Sequence, residues 1–461
     1  MTQSTLAGAC GILWLVATGL LLARQIDHPS KFGVAACVVL VAAPVLALNF
    51  RRLPAYLIGM YAALLPMNSL FVTGTGATVG KFVGMAVAGG TLLVLFASRR
   101  TAPPARSLGV LAVLLFYVGT TIFWSVDASK AFSSYIQFLN YVLLYVIISL
   151  YPVRFDGLKI ILLFMVAGAA ASALYGDLLY FHGQQVFGPR LFIGHDAATS
   201  VDPNEYASTL IAPITVTLLL FLGARATLVK VGYLGILALL FSSLMISGSR
   251  GSTIGLAAVV LFVLWRSRYR LQTFAMLVVA IAGVVSSPVG QRLMSADAVT
   301  GDGRTEIWKV AIASLSQYWL LGAGVGNFQV AFDQYYLTTW HLLPGWDRAA
   351  HSVFLQSAVE YGALGFGLVL LFWYLVFVEL RGVERDPVFG DVSIAIRASV
   401  LGLFVAGFSL DLLAYKETWL VFSLVALTRS AFLADQSPRA AERIDETART
   451  ASRVSVPAVD R

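Results

Sequence analysis

Four residues stand in settings suited to chemistry on an anionic substrate. Arg250 lies in Gly248-Ser249-Arg250-Gly251-Ser252-Thr253, a polar turn between two apolar blocks, and opens the second block. A helix starting there presents free N–H groups and partial positive charge, which suit phosphate. A guanidinium beside them adds a bidentate fork. The alternative is an interfacial arginine reaching from a hairpin to lipid headgroups. Arg190 lies in Phe187-Gly188-Pro189-Arg190-Leu191, upstream of Asp202-Pro203-Asn204, where Asp202 or Asn204 can cap the next helix. Arg304 and Trp308 are four residues apart, on one helical face; Arg304 is either part of a site or a surface charge.

His351, in Ala350-His351-Ser352, stands where an apolar block begins. The positive end of a helix disfavours the imidazolium and holds the neutral form that a general base needs. The other reading is a capping or interfacial histidine. Glu360 is nine residues on, about half a turn round the helical wheel, so it reads as an ion-pair member rather than a partner of His351. Gly322-Ala323-Gly324-Val325-Gly326 has no strand before it and reads as a tight turn, not a nucleotide loop. His28, His182, His195, His341 and His351 show no metal-ligand spacing. Asp196, Asp202, Asp297, Asp302, Asp333 and Asp347 occur singly, with no DxD pair. Neither a metal site nor a cofactor is expected.

The elements that must position these residues are apolar. Hydrophobic residues make up 58% of the 461 and charged residues only 12%, about half the soluble norm; the mean hydropathy is +0.81. Apolar blocks near the length of a bilayer crossing fall at 6-23, 33-49, 53-71, 80-97, 107-123, 135-150, 158-180, 205-222, 230-247, 251-265, 271-288, 352-379, 392-410 and 418-434. They predict an all-α polytopic membrane protein of about 12–14 transmembrane helices, with the third block open to a break at Pro66.

With the N-terminus inside, 21 of the 32 Lys and Arg fall on the cytoplasmic side, from Arg51 and Arg52 to the basic tail. The excess basic charge therefore reads as a topology signal and not as a nucleic-acid footprint. Both termini are then cytoplasmic, and the loops 181-204 and 289-351 are outside. The first span lacks a basic n-region and a clear cleavage site, so it is not expected to be removed. Cys10 and Cys37 sit at different depths, which disfavours a bridge. Residues 1-434 form the membrane domain; 435-461 read as a cytoplasmic, disordered tail. An amphipathic stretch from Thr305 to Ser316 can lie along the membrane surface.

The series Ser249-Arg250-Gly251, Gly303-Arg304 with Trp308, Gly322-x-Gly324-x-Gly326-x-Phe328, Ala350-His351-Ser352 and Glu360-x-Gly362-x-x-Gly365 resembles the O-antigen ligase and O-antigen polymerase family. The resemblance covers about residues 185-380, and serine stands where the family's usual Ala-His-Asn has asparagine. It implies a GT-C-like fold with a long periplasmic loop. It also implies a metal-independent glycosyltransferase of the bacterial inner membrane, serving lipopolysaccharide, capsule or exopolysaccharide synthesis. The implied donor is a glycan on undecaprenyl diphosphate. The acceptor is lipid A-core for a ligase, or a second lipid-linked glycan for a polymerase. Arg190, Arg250 and Arg304 match the arginines that hold the diphosphate, and His351 matches the histidine that activates the acceptor hydroxyl. A transporter or flippase of a lipid-linked or anionic substrate is the competing expectation; it would place ionisable residues nearer the bilayer midplane.

Overall fold

The computed structural model describes residues 50–70, 78–184, 186–187, 190–191, 193, 202–287, 290, 304–339 and 349–454. The expected spans 6-23 and 33-49 lie outside the described residues. So do both cysteines, His28, His195 and His341, with Asp196, Asp297, Asp302 and Asp347 and much of the two long loops. Two compact units partition the chain, Met1–Pro54 and Ala55–Arg461; the second carries the elements that follow.

Each expected span among the described residues is helical. In chain order these are α1 (Leu53–Leu64), α2 (Val79–Ser98), α3 (Ser107–Thr120), α4 (Ala128–Ser149) and α5 (Phe155–Phe181). A two-residue antiparallel ribbon follows, β1 (Val186–Phe187) with β2 (Arg190–Leu191), pairing Phe187 with Arg190. Next come α6 (Pro203–Thr209), α7 (Ile211–Gly223), α8 (Thr227–Ser247), α9 (Arg250–Arg266) and α10 (Arg270–Val285). The long loop contributes α11 (Arg304–Tyr318) and α12 (Phe328–Thr339), before α13 (Val353–Val378), α14 (Gly390–Ala406) and α15 (Lys416–Val454).

Among the described residues eight helical segments are long and apolar enough to cross a membrane: 79–98, 107–124, 128–149, 155–181, 203–223, 227–247, 353–385 and 416–436. The chain is an all-helical, polytopic membrane protein. Four other expected spans are helices below the roughly 20 residues of a full crossing: α1 with 12, α9 and α14 with 17 and α10 with 16. The third span does break where Pro66 stands. The α-helix stops at Leu64 and a 3-10 turn takes over, because proline disfavours helical geometry in the residue before it. At the other end, the backbone of α15 is helical through Val454, past the point where the apolar pattern stops. Ala, Glu and Arg dominate that stretch and are good helix formers without needing an apolar face.

The short helices α9 and α14 pack against each other at close range. A Cβ at Gly255 would meet the Gly402 carbonyl oxygen at 2.5 Å and the Ala406 Cβ at 3.1 Å. Small residues four apart on both helices let the backbones approach, the usual way membrane helices associate where lipid removes the hydrophobic drive. The pairing sets the start of α9 beside the end of α14. Toward the other ends of these helices lie ion pairs: Arg266 and Arg397 both bind Glu384, Arg268 pairs with Asp391 at 2.9 Å, and Arg429 pairs with Glu379 at 2.8 Å.

The expected amphipathic stretch is α11, and its periodicity is as read. Its stripe of Ile307, Val310 and Ala311 does not face a membrane surface. It is buried with Phe328, Phe332 and Tyr336 of α12 and with Ala350 and Val359.

Candidate functional site

The Ser-Gly-Ser-Arg sequence ends one helix and starts the next. Gly248 closes α8 in the left-handed region at φ 68, which glycine adopts without a Cβ penalty. The Ser249 hydroxyl then accepts from the Ser252 N–H at 3.4 Å, capping α9. Arg250 is therefore in the first turn of α9. Arg190 lies over the same turn. Its Nε donates to the Ser247 carbonyl at 2.8 Å and one terminal nitrogen donates to Asn204 Oδ1 at 2.8 Å. Asp202 caps α6 by accepting from the Asn204 backbone at 2.6 Å, and it also accepts from the Asn204 side-chain nitrogen at 2.7 Å. The amide nitrogen is thereby committed to Asp202, which turns the amide oxygen toward Arg190.

Arg304 reaches the site from α11. It donates to the Ser409 carbonyl at 2.8 Å, and the Ser409 side chain sits where a Cβ on Gly251 would go. One turn further, Trp308 Nε1 donates to the Ala350 carbonyl at 3.0 Å. The strand of contacts continues into α13, whose Val353 N–H donates to the Gly407 and Leu410 carbonyls, both at 2.9 Å. Ser352 caps α13 by accepting from the Leu355 N–H at 3.4 Å. The cap is thus the serine, and the capping role open to His351 belongs to its neighbour. His351 stands just outside the helix in the left-handed region, φ 48, where a non-glycine residue costs of order 1–3 kcal/mol. Such strain accumulates where a side chain is held for use.

The turn 407–410 at the end of α14 therefore meets Gly251 beside Arg250, Arg304 itself, and Val353, two residues after His351. Arg190 packs on Gly248 of the α8–α9 turn. The four sequence-selected residues are half-buried. Two contributors escaped the sequence reading. Ser409 belongs to no motif, and Asn204 was visible only as a candidate cap.

Among the described residues Glu360 has no ion-pair partner, contrary to expectation. Its carboxylate is buried and accepts from the Phe328 N–H at 3.3 Å and Gln356 Nε2 at 3.1 Å. Its backbone carbonyl accepts from the Gly324 N–H at 2.9 Å. The glycine-rich segment is the tight turn expected, with φ of 81, 99 and 70 at Gly322, Gly324 and Gly326. It docks on α13 at a kink where Gly362 has φ 63. Asn327 fastens the other side, accepting from the Asp127 N–H at 2.7 Å. Among the described residues, no three His, Cys, Asp or Glu side chains are grouped as metal ligands.

Residues 214–370 match the family model described as O-antigen ligase. The chain is a membrane protein with an O-antigen ligase domain. Compared with curated proteins, it matches none. The ligase domain holds Arg250, Arg304, the glycine turn, His351 and Glu360. Arg190 and the 407–410 turn lie outside the matched region, so the site as folded draws on more of the chain than the ligase domain alone.

Proposed function

We propose that this protein is a glycosyltransferase that moves a glycan from undecaprenyl diphosphate to an acceptor sugar hydroxyl at the periplasmic face of the inner membrane. The observation that supports this reading is that the 407–410 turn meets the first turn of α9, where Arg250 stands, and also Arg304 and the start of α13 just after His351, with Arg190 laid over the α8–α9 turn. The acceptor oxygen attacks the anomeric carbon of the donor and gives its proton to His351. The bond from that carbon to the diphosphate oxygen breaks, and the diphosphate leaves with the bonding electrons. Fixed guanidinium groups stabilise the charge developing on it. This division of labour leaves no step that calls for a metal ion.

The decisive experiment offers purified protein a lipid-linked glycan with two competing acceptors, lipid A-core and a second lipid-linked glycan. Product on the first identifies a ligase and on the second a polymerase; product on neither overturns the enzymatic reading in favour of transport. Repeated in EDTA, the assay is expected to give undiminished turnover. Loss of activity restored by Mg²⁺ or Mn²⁺ would refute metal independence.

The reading requires the ligase loop to face the periplasm and both termini to face the cytoplasm, as the basic loops imply. A cysteine introduced at Ser316, with Cys10 and Cys37 replaced, is expected to react with a membrane-impermeant maleimide from the periplasmic side. Labelling from the cytoplasmic side alone would invert the topology and remove the site from its donor.

A further inference from the structure

A second cavity opens beside the first site, on the face of α13 turned toward α4 and the glycine turn. It has a volume of about 180 Å³ and is lined by Ser134, Gln137 and Tyr141 of α4, Gln356 and Glu360 of α13, and Asp411. None of its lining residues is a lysine, arginine or histidine. Gln356 and Glu360 stand one and two turns into the helix whose cap follows His351, at roughly 5 Å of rise per turn. Asp411 follows the Leu410 carbonyl that receives the Val353 N–H.

The hydrogen-bonding capacity of this cavity is unbalanced. Glu360 is committed to the Phe328 N–H and Gln356. Gln356 Oε1 is buried with no partner. Asp411 makes no hydrogen bond or ion pair with any described residue, and burial pushes its carboxyl up to about 7. Gln356 Oε1 and the Asp411 carboxyl are left open as acceptors, beside the ring of Tyr141 and the hydroxyls of Ser134 and Ser357. Buried acceptors left empty cost free energy, so the cavity fits an occupant that brings donors.

We infer that this cavity seats the terminal sugar ring of the acceptor, a neutral pyranose whose hydroxyls donate to Asp411 and Gln356. The inference rests on the transferase reading and adds to it the place and chemical class of the acceptor. The volume is below the 300–1,000 Å³ of sites for drug-sized ligands and suits one ring rather than a chain. The position suits an acceptor because the arginines hang from α9, α11 and β2, leaving the α4 side of α13 for the second substrate. A sugar carboxylate brings no donor to Gln356 or Asp411, so a neutral ring fits better than an acidic one.

The test is saturation-transfer NMR on the full-length protein in nanodiscs, with methyl glycosides of neutral hexoses and, in parallel, of hexuronic acids. Transfer is expected to the neutral glycosides and not to the uronides. Gln137→Trp fills the cavity from an exposed position, and Asp411→Asn removes its free carboxylate at constant volume. Both are expected to weaken the neutral signal by about fivefold or more, the scale of one lost hydrogen bond. A melting curve for each variant checks folding. Where turnover is measured, the acceptor KM should rise about tenfold at constant donor KM. No transfer to any neutral hexoside, or an undiminished signal in folded Gln137→Trp, would overturn the inference. Sugar binding without turnover on either lipid acceptor would keep the cavity as a sugar site but sink the transferase reading, and with it the assignment of that sugar to an acceptor.

Discussion

His351→Ala is expected to lower glycan transfer by about 10²–10⁴-fold, the usual contribution of a positioned general base, while donor binding stays largely intact. The acceptor hydroxyl is a poor nucleophile until its proton has somewhere to go, and in the proposed mechanism His351 takes it. In that mechanism donor binding rests on Arg190, Arg250 and Arg304, which the substitution leaves untouched. Folding should survive as well. Ser352 caps α13, so no cap is lost with the histidine. His351→Gly sharpens the test, since glycine adopts φ 48 without strain. That variant should melt no lower than the parent and still be inactive, which separates chemistry from stability. Added imidazole should restore part of its turnover. Near-normal activity in a folded His351→Ala protein would end the general-base role and leave a mechanism of proximity and arginine electrostatics.

The apolar blocks reported the helices well because a bilayer imposes one length and one polarity on every crossing. The block 158-180 became α5 and 230-247 became α8 with ends shifted by about three residues or fewer, within the usual error. The blocks 251-265 and 392-410 became α9 and α14, each of 17 residues, at the short end of what crosses a bilayer. These two helices pack on each other through Gly255 and Gly402, and hydropathy does not say what covers an apolar face. The same holds for the stripe on α11: its period was right, and its cover is α12 and α13. Glu360 was misread because a charged side chain in an apolar helix suggests a charged partner. Its partners are a backbone N–H of α12 and an amide, neither of which carries a sequence signal.

Of the site, the chemistry-bearing side chains were legible and the scaffold was not. Arg250 and His351 stand at helix starts that Ser249 and Ser352 mark. The turn 407–410 meets Arg304 and Val353 through carbonyl oxygens, which every residue possesses. The hairpin under Arg190 left one trace, the Gly188-Pro189 dipeptide between its strands, a turn signal.

Arg250→Lys is expected to cut donor turnover by about tenfold or more, and Arg250→Ala by about 10²–10³-fold, the cost of removing one fixed donor from a developing oxyanion. The two variants separate charge from geometry. Lysine keeps the charge, but it is a compact, mobile point with no planar fork to engage two phosphate oxygens. Geometry should matter here because the backbone around Arg250 is fixed on both sides. Gly248 and Ser249 set the turn before it, and Gly251 is pressed against Ser409 after it. Neither substitution touches those residues, so melting should change little. Both effects should appear in kcat/KM for the lipid-linked donor, with the acceptor KM unchanged. Equal activity of Arg250→Lys and the parent would mean that charge alone suffices. Normal activity of Arg250→Ala would return Arg250 to its other reading, a side chain reaching from a hairpin to the headgroups, and the diphosphate would then have to be held by Arg190 and Arg304 without the α9 N-terminus.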